Sequence, residues 1–77
     1  MLQWFHRGGD TIFGSFIRER RQALRLTQRQ LGELCGYTGR SAETVVQNWE
    51  ADRQPVPLDR LRRLAAALEI PVDTLIP

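Results

Sequence analysis

Five polar side chains in the middle of the chain have the chemistry that recognises the edges of DNA bases. An Asn or Gln amide suits adenine, an Arg guanidinium suits guanine, a Glu carboxylate accepts from the cytosine amino group, and a Thr methyl touches the thymine methyl. On a helix with Val46 and Trp49 turned inward, these side chains point roughly the other way. Any surface helix carries polar residues outward, so the pattern alone is weak support. The candidate base-reading residues are Arg40, Glu43, Thr44, Gln47 and Asn48.

A second polar cluster stands at the predicted start of the preceding helix. Thr27 is a candidate N-cap, and Gln30 lies three residues later, as in a capping box. The free amides and the positive dipole end of a helix start attract a phosphate. We therefore predict that Thr27, Gln28 and Arg29 contact a DNA backbone. A phosphate-holding helix followed by a base-reading helix predicts a helix-turn-helix.

Apolar residues at three- and four-residue spacing predict the first two helices. The first helix is expected to follow Asp10 or Thr11, since either can cap it. The second is expected to begin after Thr27 and to end at Gly36, which can adopt a left-handed conformation. The expected inward-facing residues are Phe13, Phe16, Ile17, Arg20, Arg21 and Leu24 in the first helix, and Leu31, Leu34 and Cys35 in the second.

Two further helices and a final turn are predicted in the second half of the chain. Ser41 is the expected cap of a third helix over 42–51, which the prolines of "DRQPVP" end. A fourth helix spans 58–68, and Pro71 begins a last turn that adds Leu75 and Ile76. No stretch alternates with a period of two, so the predicted class is all-α, a compact bundle of five short helices. The expected buried residues are Ala42, Val45, Val46, Trp49, Leu58, Leu61, Leu64, Ala65 and Leu68.

The length of 77 residues predicts one small domain, residues 10–77, after a leader of residues 1–9 that ends in a Gly-Gly break. So short a chain buries a modest core, which a second copy would enlarge. In the leader, Trp4 and Phe5 are expected to fold back onto the domain or onto a partner subunit. The alternative is an arm that touches DNA or another protein.

Composition excludes some classes of function and permits others. The net charge is only +2, with eleven arginines and no lysine, which permits nucleic-acid binding without arguing for it. No apolar run approaches the ~20 residues of a membrane span, and the leader is too short and polar for a secretory signal. We expect a cytoplasmic protein in which the lone Cys35 is a small core residue. With a single histidine, His6, and scattered carboxylates, we expect no catalysis, metal or cofactor.

Residues 13–76 resemble the Cro-like, Xre-like helix-turn-helix family of phage and bacterial repressors. The matching stretches are "FGSFIRERRQALRLTQRQLGELCGY" and "VVQNWEADRQPVPLDRLRRLAAALEIPVDTLI", in this order and at this spacing. The resemblance implies a lambda-repressor-like fold in which helices 2 and 3 form the helix-turn-helix. It also implies a bacterial or phage-encoded, nucleoid-associated protein.

The resemblance assigns roles to several residues. Arg21 and Glu50 match a structural ion pair that ties helix 1 to the end of helix 3. Gln28 matches a glutamine that touches the DNA backbone, and Arg53 lies in a loop that does the same. Base-reading positions of the family fall on Glu43, Thr44 and Asn48.

The chain departs from the family pattern before helix 3. Gly36 lies fourteen residues before Glu50, four more than the family spacing. The extra residues form either a longer turn or an added helical turn. We favour the longer turn because Gly39 is a poor helix former and Ser41 is a good cap. That arrangement places Arg40 and Ser41 at the tip of the turn, near a phosphate or the edge of the groove.

Three further positions bear on the resemblance to this family. Arg25 and Asp52 stand where the family often has glycine, whereas Gly32 supplies the small residue needed where helices 2 and 3 cross.

We expect a sequence-specific regulator of transcription, a repressor, that binds double-stranded DNA as a homodimer. The alternative is a protein-interaction module, such as an antitoxin or a transcription adaptor, with a contact surface formed by Trp4, Phe5, Leu75 and Ile76.

Overall fold

The computed structural model describes residues 12–75, and all regular structure in this part of the chain is helical. The elements are α1 (Ile12–Ala23), α2 (Gln28–Leu34), α3 (Gly39–Glu50), α4 (Leu58–Leu68) and a 3₁₀ turn over Val72–Thr74. The all-α class is confirmed, with four α-helices and a short turn where five helices were predicted. Among these helices, none is long and apolar enough to cross a membrane. The leader with Trp4 and Phe5, the proposed caps Asp10 and Thr11, and Ile76 lie outside the described residues.

A single apolar core receives side chains from all four helices and from the residue after the 3₁₀ turn. Trp49 is the largest of its fully buried side chains, and its ring meets Tyr37 edge to face with the centroids 5.9 Å apart. Cys35 is buried, as predicted. The core residues are Ile17, Leu31, Cys35, Val45, Val46, Trp49, Leu64, Ala65, Leu68 and Leu75.

Two residues that were predicted to be buried are exposed. Leu34 is 53% exposed and Leu58 is 79% exposed. Leu34, the last residue of α2, lines a shallow groove whose other lining residues, on α4, are Arg63 and the small Ala66 and Ala67. Leu58 is the first residue of α4, and its turn projects past the core that the later turns of α4 cover.

The start of α2 has the predicted capping box. Thr27 Oγ1 accepts from the backbone N–H of Gln30 at 3.0 Å, and Gln30 Oε1 accepts from the backbone N–H of Thr27 at 2.8 Å. After α2, Gly36 has a φ of 99°, a conformation that favours glycine. The turn therefore needs only residues 35–38 before α3 begins.

The prediction of a longer turn before helix 3 is wrong. The helix begins at Gly39, three residues earlier than predicted, so most of the extra residues add a helical turn. Gly39 has a φ of 58°, so its conformational freedom sets the direction in which the helix starts. Arg40 and Ser41, predicted at the tip of the turn, both lie inside the first turn of the helix. Ser41 is not the cap, and its hydroxyl donates to the Thr38 carbonyl at 2.9 Å. The added turn keeps the inward face because four residues rotate a helix only ~40° beyond a full turn.

The crossing of α2 and α3 depends on Gly32, as predicted. A Cβ at this position would overlap the backbone carbonyl of Ala42 and would lie 2.7 Å from Ala42 Cα. Only a residue without a side chain therefore lets the two helices approach this closely. Gly14 likewise allows α1 to approach the end of α3 closely, since a Cβ there would lie 2.7 Å from the carbonyl oxygen of Trp49.

Candidate nucleic-acid interface

The predicted ion pair between Arg21 and Glu50 is present and anchors the end of α3. The Glu50 side chain is 1% exposed, and the Arg21 side chain is 11% exposed. Arg21 Nε donates to Oε2 at 2.6 Å, and Arg21 Nη2 donates to Oε1 at 3.2 Å. This forked arrangement is the strong form of a carboxylate–guanidinium pair. A third donor of Arg21, Nη1, reaches the Leu26 carbonyl at 2.9 Å, so the same side chain also holds the segment between α1 and α2.

Gln28, which was predicted to touch the DNA backbone, joins the same cluster. Its Nε2 donates to Glu50 Oε1 at 3.0 Å, and Arg18 Nε lies 3.5 Å from the same oxygen. This bond does not exhaust the Gln28 amide, whose nitrogen carries two hydrogens. The start of α2 is therefore fixed relative to the end of α3 by hydrogen bonds to one buried carboxylate.

The predicted division of α3 into two faces is present. The inward residues Ala42, Val45, Val46 and Trp49 are buried. On the opposite side, Asn48 is half-buried and the other candidate residues are exposed, namely Arg40, Ser41, Glu43, Thr44 and Gln47. The structure therefore brings the candidate base-reading residues together on one accessible face, and their contact with bases stays a prediction.

Two amides on this face are held by neighbouring side chains. Gln47 Nε2 donates to Glu43 Oε2 at 3.4 Å, one helical turn away. Asn48 Oδ1 accepts from Arg53 Nη1 at 3.1 Å, and Asn48 Nδ2 donates to Gln54 Oε1 at 3.3 Å. Sequence reasoning missed Gln54, because only the fold of the segment after α3 brings it back over the helix.

Two open grooves flank α3. The first groove contains the three predicted phosphate-contacting residues of α2, together with a base-reading candidate, and is lined by Arg21, Thr27, Gln28, Arg29 and Glu43. The second is lined by Tyr37, Arg40, Ser41, Thr44, Val45, Asn48 and Gln54. The grooves therefore place the predicted phosphate and base contacts side by side.

The segment after α3 reverses direction at Asp52. Its φ is 58°, so this aspartate adopts a left-handed conformation that favours glycine. Its Oδ1 accepts from the backbone N–H of Gly14 at 3.2 Å, near the start of α1. Burial raises the pKa of Asp52, and the bond from Gly14 opposes that shift. The carboxylate thus ties this segment to α1.

Several arginines have structural roles that the sequence did not predict. Arg20 donates from Nε and Nη2 to the carbonyl of Leu68 at 3.2 and 2.9 Å, which satisfies the end of α4. The guanidinium carbon of Arg60 lies 4.8 Å from the centroid of the Tyr37 ring. The arginine count is therefore not a count of DNA contacts. No group of three or more potential metal ligands occurs among the described residues.

These features define a class of protein. A helical bundle in which α2 and α3 cross at a short turn, with the polar face of α3 left open, is a helix-turn-helix domain. The model of the helix-turn-helix family matches residues 17–75. The chain belongs to this DNA-binding regulatory family, and its resemblance to the Cro-like, Xre-like members is confirmed. Comparison with curated proteins and with solved structures found no match.

Proposed function

We propose that this protein is a sequence-specific regulator of transcription that reads the major groove of double-stranded DNA with α3. The proposal rests on the two-faced character of that helix. Val46 and Trp49 hold one side in the core, and Glu50 is fixed by Arg21. The opposite side is polar and open, with donors and acceptors that suit base edges. A helix held in this way can enter the major groove with its polar side chains facing the base edges.

The proposed contacts divide into two kinds. Backbone contacts supply affinity, and base contacts supply discrimination. Thr27, Gln28 and Arg29 line the groove beside Glu43, and Arg53 is exposed after α3. The hydroxyl hydrogen of Ser41 is used by the Thr38 carbonyl, so a phosphate contact from Ser41 requires that hydroxyl to turn. The base contacts are those of Arg40, Glu43, Thr44, Gln47 and Asn48.

The proposal extends to assembly and location. Helix-turn-helix dimers bind two half-sites about one turn of DNA apart, so a homodimer would select an inverted repeat. Repression would follow from occupancy of such a site. The resemblance to Cro-like, Xre-like repressors extends the proposal to a bacterial or phage-encoded protein that acts in the cytoplasm on the nucleoid.

Selection of bound duplexes from a random pool, followed by a salt titration, tests the proposal. A DNA reader should enrich an inverted motif. Its binding constant should also fall steeply with salt, by about one logarithmic unit per tenfold salt for each phosphate neutralised. Enrichment of no sequence, or an affinity that is equal for all duplexes, would contradict it.

The second candidate function is a protein-interaction module. The exposure of Leu34 and Leu58 favours it, because each leaves apolar area uncovered on α2 or α4. Leu75, which was predicted to join such a surface, is only 3% exposed and belongs to the core. Weak, sequence-blind DNA binding in the salt titration would favour this function over the first.

A further inference from the structure

We propose that Arg53 and Gln54 are positioning residues that fix the Asn48 amide in one orientation for base recognition. This inference rests on the proposed function, because it concerns how the outward face of α3 reads a base. It assigns Arg53 a role beyond its predicted phosphate contact. It also brings Gln54 into the site.

The contacts hold both ends of the Asn48 amide. Arg53 Nη1 donates to Oδ1 at 3.1 Å, and Nδ2 donates to Gln54 Oε1 at 3.3 Å. Asn48 is half-buried, whereas the two residues that hold it are exposed. The amide therefore lies at the edge of the open face, between the helix and the segment that follows it.

The backbone after α3 determines this arrangement. The left-handed conformation of Asp52, with a φ of 58°, turns the chain back. The N–H of Arg53 then donates to the carbonyl of Asn48 at 2.9 Å. The backbone at the end of α3 thus brings residues 53 and 54 beside Asn48. Their side chains reach its amide by the choice of rotamer alone.

Arg53 decides which way the amide points. A guanidinium donates hydrogen bonds and accepts none, so it can face the oxygen of an amide but not its nitrogen. A rotation of the Asn48 amide by half a turn would place Nδ2 against Arg53, donor against donor. Gln54 can present either end of its own amide, so it adapts to the orientation that Arg53 imposes.

The remaining hydrogen-bonding capacity of Asn48 matches adenine. A primary amide has two hydrogens on nitrogen and two lone pairs on oxygen. The network uses one of each, which leaves one donor and one acceptor. Adenine presents one acceptor, N7, and one donor, the N6 amino group, in the major groove. The geometry therefore points to an A·T base pair as the partner of Asn48.

The size of the effect follows from the states that the network excludes. A helical side chain has two common χ1 rotamers, and an amide has two orientations, so a free Asn48 would populate the competent state about one time in four. Loss of the network should then lower the affinity of that one contact about fourfold. The base preference at that position should fall by the same factor.

Competition binding with the full 77-residue chain tests the inference. The probes are a duplex selected by the wild-type protein and its single-base-pair variants. Asn48→Ala first identifies the base pair that Asn48 reads. Gln54→Leu removes the acceptor, and Arg53→Met removes the donor and the charge. Arg53→Lys keeps a cation that only donates, and serves as the conservative control.

The inference expects Arg53→Met to reduce discrimination by up to about fourfold at the base pair that Asn48 reads, and nowhere else. Gln54→Leu should reduce it less at the same base pair, because the bond from Arg53 still fixes the orientation of the amide. Arg53→Lys should restore that discrimination, and Gln54→Leu should add nothing to Asn48→Ala. If both variants weaken all duplexes equally, or leave that preference unchanged, the positioning role is overturned while the proposed function stands. If the wild-type chain selects no sequence, both fail. Circular dichroism verifies folding, and if Arg53→Met does not fold, Arg53→Gln replaces it, because a glutamine amide can face either end of the Asn48 amide and so does not fix its orientation.

Discussion

The carboxylate of Glu50 lies 2.6 Å from Arg21 Nε, and both side chains are nearly buried. This pair joins α1 to the last residue of α3. Through the bond from Gln28, it also fixes the start of α2. The relative placement of the two helices of the motif thus depends on one buried negative charge and its donors.

Replacing Glu50 with alanine is expected to destabilise the fold before it alters DNA preference. The change leaves the nearly buried guanidinium of Arg21 without its carboxylate, which typically costs about 3–5 kcal/mol. Urea unfolding followed by circular dichroism measures the loss. Glu33→Ala is the matched control, because the Arg29–Glu33 pair at 3.5 Å is exposed and is expected to contribute less than about 1 kcal/mol. Equal stability of the Glu50 variant and the wild type would remove the ion pair as an anchor.

Gly32→Ala is expected to destabilise the protein, against the usual effect of this substitution in a helix. Alanine is better than glycine in a helix by about 1 kcal/mol. Here its methyl group would overlap the Ala42 carbonyl, and such overpacking typically costs about 1–3 kcal/mol or more. Urea unfolding gives the sign of the change in unfolding free energy, which shows whether helix propensity or steric overlap is the larger effect. A stabilised variant would show that the two helices have room to separate.

Arg25→Gly and Asp52→Gly are expected to differ, although both residues have a left-handed φ near 60°. Glycine relieves the strain at either site, and Arg25→Gly should stabilise by up to about 1 kcal/mol. Asp52→Gly also removes the hydrogen bond to the Gly14 N–H, which contributes about 0.5–1.5 kcal/mol. Thermal unfolding of both variants compares them. Equal gains would mean that the bond between Asp52 and Gly14 contributes nothing.

Stability is expected to fall as pH rises above about 9 because of Cys35. Burial raises the pKa of its thiol from 9.0 to about 11, although the charges of Arg60 and Arg63 lower it. The unfolded chain therefore loses this proton first, and alkaline pH favours unfolding until the folded thiol also ionises. The contribution is of order 2 kcal/mol over this window. Unfolding of wild type and Cys35→Ala at pH 8 and 10.5 isolates it, and identical pH dependence in both proteins would contradict the prediction.

Substitutions on the two sides of the proposed interface should separate discrimination from affinity. Asn48→Ala and Gln47→Ala are expected to relax base preference by ~1–3 kcal/mol at one base pair each. Gln28→Ala should weaken binding to every duplex by the same factor, so that base preference is unchanged. Some loss of stability is also expected, because the Gln28 amide donates to Glu50. Selection from a random pool reports preference, and titration reports affinity. Unchanged preference in both α3 variants would contradict their role.

The sequence by itself determined the four helical segments to within a few residues, and most of the apolar face of each. These features depend on residues that are close together in the sequence. They are the spacing of apolar residues, the capping box of Thr27 and Gln30, and the prolines after α3. The family resemblance added the pair of Arg21 and Glu50, whose members are far apart in the chain and which spacing alone does not connect.

Only the tertiary structure decided how the elements meet. The sequence favoured a turn at Gly39, whereas in the structure this residue begins α3 with a φ of 58°. Whether Leu34 and Leu58 are covered depends on what packs against them. The contacts of Gln54 with Asn48 require the chain reversal at Asp52. Each of these features depends on residues that other elements bring close in space, whereas helical periodicity depends on neighbours in sequence, so a single chain read in order shows only the latter.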